Sequence, residues 1–83
     1  PQVTPQVVAL LESVIQIPRS REDIQRKLGL KDREHLRKAY LEPLLKAEWI
    51  ERTIPDKPQS RLQKYRLTPK GQTVLENHSK DLS

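Results

Sequence analysis

Cysteine is absent from these 83 residues, and so are methionine and phenylalanine. Without cysteine there is no disulfide framework, thiolate nucleophile or cysteine-ligated zinc, so packing alone must hold the fold, which suits a reducing cytoplasm. Aromatics amount to 4%, one Trp and two Tyr, a poor basis for binding single strands by base stacking. The only glycines are Gly29 and Gly71, too few for a glycine-rich phosphate loop. No apolar run approaches the roughly 18 to 20 residues of a membrane-spanning helix, and no charged-then-apolar leader opens the chain. No membrane partner is expected. His35 and His78 are far apart and no histidine pair has zinc spacing on one helix. Scattered carboxylates such as Glu48 and Glu51 read as solvated charges, so the expectation is no catalytic residue, no cofactor and no metal. With no methionine and Pro1 at its start, the sequence reads as a piece cut from a longer polypeptide, with the parent protein upstream.

What is present is a balance of 34% hydrophobic and 33% charged residues, enough for one small core under a polar surface. The net charge is +5, and its placement matters more than its size. Between residues 52 and 70, Arg52, Lys57, Arg61, Lys64, Arg66 and Lys70 are opposed by Asp56 alone. That stretch equals the whole net charge and makes an electropositive strip suited to a polyanion.

Residues 1–4 read as a linker, residues 5–78 as the domain and residues 79–83 as a frayed tail. Thr4 as N-cap with Pro5 at the first helical position opens a helix to about Gln16, with Val7, Leu10, Leu11, Val14 and Ile15 on its buried stripe. Pro18 forbids continuation. Ser20 and Asp23 approximate a capping box for a two-turn helix carrying Ile24 and Leu28 and ending at Gly29. Asp32 caps a third helix with Leu36, Tyr40, Leu41, Leu44 and Leu45, and the tight connection suggests helix-turn-helix. Pro43 inside that pattern predicts a kink or a break. Residues 49–54 and 62–67 alternate with period two and read as a hairpin whose loop, residues 55–61, is stiffened by proline and projects from the body. Thr68 and Pro69 repeat the opening device for a fourth helix through Val74 and Leu75, with fraying from Asn77. The expected class is α+β: three helices, a two-stranded β-hairpin and a C-terminal helix.

On a wheel of ~100° per residue the apolar side of the third helix leaves Lys31, His35 and Lys38 pointing away from the core, candidates to enter a major groove. Arg33 and Arg37 fall on the apolar side of that wheel, where a guanidinium is costly to bury. Either the first turn overhangs the core, in which case both reach phosphates at the helix N-terminus, or the phase of the wheel is off. In the hairpin, Tyr65 and Leu67 share one face, leaving Lys64 and Arg66 for a DNA backbone, with Lys57 and Arg61 on the loop.

The segment 35–71 is similar to a known pattern, most specifically at Ile54-Pro55-Asp56-Lys57-Pro58 and Tyr65-Arg66-Leu67-Thr68. It resembles the winged-helix domain that ends two groups of bacterial proteins: RecG-related, Schlafen/AlbA-type ATP-binding regulators, and Fic-type proteins. The opening Pro1-Gln2-Val3-Thr4-Pro5-Gln6-Val7 is similar to the repeat preceding that domain. The resemblance implies a winged helix-turn-helix at the C-terminus of a larger RecG-related, helicase-like or regulatory protein, its third helix the recognition helix and residues 55–61 the wing. Such families carry Gly where Glu48 stands, so the third helix is expected to end differently here.

The first functional expectation is therefore a module that binds double-stranded DNA. The second is a protein-contact module that docks on the parent's N-terminal domain or pairs with itself through its first and fourth helices.

Overall fold

The computed structural model describes the backbone of residues 1–82 and the side chains of residues 1–80. α1 (Pro5–Ser13) begins as the sequence predicts, with Thr4 Oγ1 accepting the Val7 N–H at 3.2 Å. It stops short of Gln16. The Val14 and Ile15 N–H groups bond back only three residues, at 3.2 and 3.3 Å, and the Arg19 guanidinium takes the Ser13 carbonyl at 2.6 Å. Ile15 consequently lies 47% exposed rather than in the core. α2 (Arg21–Leu28) is capped by Ser20, whose Oγ accepts the Asp23 N–H at 3.2 Å, and closes at Gly29 with φ 68°.

The third helix is a composite. α3 (Arg33–Leu36) is capped by Asp32, a π turn spans Arg37–Leu41, and α4 (Glu42–Lys46) follows. Pro43 is the cause. It has no N–H to give Ala39, and the ladder accommodates by one extra residue per turn, the Glu42 N–H reaching back five residues to the Arg37 carbonyl. The expected break is thus a bulge inside a continuing rod. A uniform 100° step misphases everything after it, and buried Leu36 and Leu41, five residues apart, share the core face because of the π turn.

The rod ends as a glycine would end it, although the residue is Glu48. Glu48 has φ 64°, its N–H bonds to the Leu45 carbonyl at 3.0 Å, and the Trp49 N–H bonds to the Leu44 carbonyl at 3.0 Å. These are the two bonds of a Schellman motif. The expectation of a different ending is corrected: the conformation is kept and a side chain bears its cost. Glu48→Gly should therefore stabilise the domain by about 1 kcal/mol, read as a rise of roughly 4 to 8 °C in melting temperature. No rise would refute the strain.

The sheet is shorter than predicted. β1 (Ile50–Arg52) and β2 (Tyr65–Leu67) are antiparallel, pairing Ile50 with Leu67, Glu51 with Arg66 and Arg52 with Tyr65. Arg19 adds a one-residue third strand through two backbone bonds with Tyr65, at 3.0 and 2.8 Å. The connecting wing is no open finger. Successive three-residue turns run from Ile54 to Gln63, and the buried Gln63 amide accepts the Ile54 N–H at 2.9 Å while donating to the Ile54 and Lys57 carbonyls at 2.6 and 3.1 Å.

α5 (Pro69–Leu82) starts from Thr68, whose Oγ1 accepts the Gly71 N–H at 3.0 Å and donates to the Glu48 carbonyl at 2.5 Å. It runs past Asn77 instead of fraying there, so residues 79–82 belong to it, and Ser83 lies outside the described residues. The core joins Val7, Leu10, Leu11 and Val14 of the N-terminal segment to Ile24, Leu36, Leu41, Leu44, Ile50, Tyr65 and Leu75. Three helical segments closed by a small sheet and its loop make an α+β winged helix.

Candidate nucleic-acid interface

Asp32 fixes where the basic rod begins. Its Oδ1 accepts the Glu34 and His35 N–H groups at 2.9 and 3.4 Å, which sets the phase of the following turn. Lys31, Arg33, His35 and Lys38 are all exposed. His35 meets the Tyr40 ring edge-on, with centroids 5.6 Å apart. Arg33, on the apolar side of the sequence-based wheel, is exposed and lines a cleft.

Arg37 is held differently. Its guanidinium bridges Glu34, at 3.3 and 2.7 Å, and Glu42. The π turn supplies the second partner by bringing a carboxylate five residues away to the same side. Hydrogen bonding and charge from Arg37 hold the Glu34 carboxyl below the usual carboxylate range, and the Glu34 bond and charge, with Glu42, raise the Arg37 guanidinium. Arg37 is thus held between two carboxylates and is not a free cation for a phosphate.

On the wing, Lys57, Arg61 and Lys64 are exposed. Among the described residues they make no ion pair, and neither do Lys31, Arg33 and Lys38. Arg66 pairs across the hairpin with Glu51 at 2.9 Å, the two standing opposite in the register. Of the nine basic candidates, seven are exposed and make no ion pair among the described residues, and two are paired with acids.

The wing and the rod share one side of the molecule. Arg33 at the start of α3 and Arg61 on the wing line a single cleft of about 370 Å³, together with Ser20 and Arg21 at the start of α2. A second cleft continues past Arg21, Pro58 and Gln59 to Arg37 and Arg52. Sequence reasoning passed over Arg21, whose Nε is buried without an acceptor, as is that of Arg52. For Arg52 a signal existed: it shares the parity of Ile50, and its paired residue Tyr65 is in the core. For Arg21 there was none, because the wing folds over it from forty positions away in the chain, roughly ten helical turns' worth of sequence.

Helix-turn-helix, hairpin wing and the cations along both define a winged-helix module. The family model for the C-terminal domain of Filamentation induced by cAMP protein Fic-like matches residues 5–68, and the chain belongs to that family. A solved structure, a Fic family protein from Desulfovibrio desulfuricans G20, is 47% identical with a TM-score of 0.76 over 82% of this chain. The chain spans 21% of that protein's length. No curated protein matches the sequence. These likenesses fall on the Fic-type side of the resemblance read from the sequence.

Proposed function

We propose that this domain is a regulatory, non-catalytic module of a Fic-type protein that grips double-stranded DNA, with α3 and the following π turn toward the major groove and the wing on backbone phosphate. The observation that carries the reading is the shared cleft: Arg33 and Arg61 line it from two elements, so rod and wing offer one electropositive face. Lys31, His35 and Lys38 are the groove-facing residues, and Lys57, Arg61 and Lys64 meet phosphate. Use in transcription regulation, and any RecG-like role, rests on the sequence resemblance and is part of the proposal.

Lys64→Ala combined with Lys57→Ala should weaken binding to all duplex sequences alike and reduce the salt slope by about two, one per lost phosphate contact. Fluorescence anisotropy across a salt series reads both quantities. Absence of duplex binding at about 50 mM salt would overturn the proposal.

A second reading has its own observation. Ile15 and Ile17 are 47% and 53% exposed, and Ile15 borders a groove between α1 and α5 that Val8 and Leu75 also line. In this reading the remainder of the parent protein covers that groove, and loss of duplex binding with retained parent contact would favour it.

A further inference from the structure

We propose that the cleft between the wing and the starts of α2 and α3 is a pocket for one phosphate group, carried as a phosphomonoester or a phosphodiester. It goes beyond duplex binding and does not require it. Three guanidiniums reach the cleft from separate segments: Arg21 from the first turn of α2, Arg33 from α3 and Arg61 from the wing. None has an ion-pair partner among the described residues. The planar fork of arginine matches the oxygens of phosphate two at a time, which a lysine cluster would not.

The Arg21 Nε is buried and donates to nothing. An ionised donor in that state is costly, and a turn of the side chain toward an anion seated in the cleft satisfies it. Backbone donors add to the same spot. Ser20 Oγ and its carbonyl take the Asp23 and Ile24 N–H groups, at 3.2 and 3.0 Å, which leaves the N–H groups of Arg21 and Glu22 at the positive end of α2 without an intrahelical acceptor. On the opposite wall the Ser60 hydroxyl accepts the Leu62 N–H at 3.1 Å and keeps its own hydrogen to donate. Among the described residues Glu22 is the one acid lining the cleft, and three arginines outweigh it.

The test uses the chain with isotopically labelled nitrogen, titrated at constant ionic strength with inorganic phosphate and, separately, with a blunt-ended duplex. Phosphate should saturably shift the Arg21 and Glu22 amides and the Arg21 and Arg61 Nε resonances. Arg61→Gln, on an exposed part of the wing, should weaken that binding roughly tenfold with the melting temperature unchanged, and Arg21→Gln should do likewise. Should Arg21→Gln fail to fold, Arg61→Gln decides. Equal phosphate affinity in Arg61→Gln, or no saturable shift at these four signals, overturns the pocket even if the duplex binds elsewhere. Saturation by phosphate with no duplex binding supports a pocket for free phosphate esters and removes the duplex reading instead.

Discussion

Gly71→Ala lowers the stability of the domain by about 3 kcal/mol, most of the ~3 to 5 kcal/mol expected for a core of this size. A Cβ at this buried position overlaps the Trp49 carbonyl oxygen and comes within 2.8 Å of Leu67 Cδ1. The leucine methyl can rotate aside, but the carbonyl cannot. It accepts the Thr68 N–H at 3.1 Å, and the residue before it, Glu48, is fixed in the left-handed conformation with its own carbonyl bonded by Thr68 Oγ1 at 2.5 Å. Retreat therefore costs the caps of two helices at once. Urea denaturation measures the loss, and a change under about 1 kcal/mol would mean the junction between α4 and α5 is softer than its bonds imply.

Leu41→Ala costs about 2 to 5 kcal/mol, which leaves the variant largely unfolded at room temperature. Leu41 is 1% exposed and sits at the end of the π turn. The cavity is hard to collapse because Leu36, Leu44 and Ile24 around the core are themselves fully buried on three helical segments. Circular dichroism at 25 °C should show loss of most helix signal; a cooperative melt near that of the parent chain would show that the bulge had relaxed into the space.

The helix starts were legible because each is a local device. Thr4 with Pro5, Ser20 with Asp23, Asp32, and Thr68 with Pro69 announce their caps within four residues of sequence, and all four accept the expected bonds. What the sequence concealed was non-local. Pro43 signalled an interruption without its form, since a bulge and a break share the same missing N–H. The Arg19 bridge is one residue long and gives no period. Gln63 shares the parity of Tyr65 and Leu67, so its burial was readable, yet a glutamine among cations reads as surface until its three backbone partners are known. The charges of the candidate interface were visible, whereas their pairing was not: Glu42 reaches Arg37 only through the π turn, and Glu51 reaches Arg66 only in the observed register.

The Gln63 amide has a further effect on how such a module diversifies. It dictates the path of the wing through bonds to main chain alone, so side chains at positions 57, 59 and 61 carry no duty toward loop geometry. Architecture and grip are written in separate letters, and lineages could retune affinity, or abandon it, by exchanging cations there while inheriting an unaltered frame.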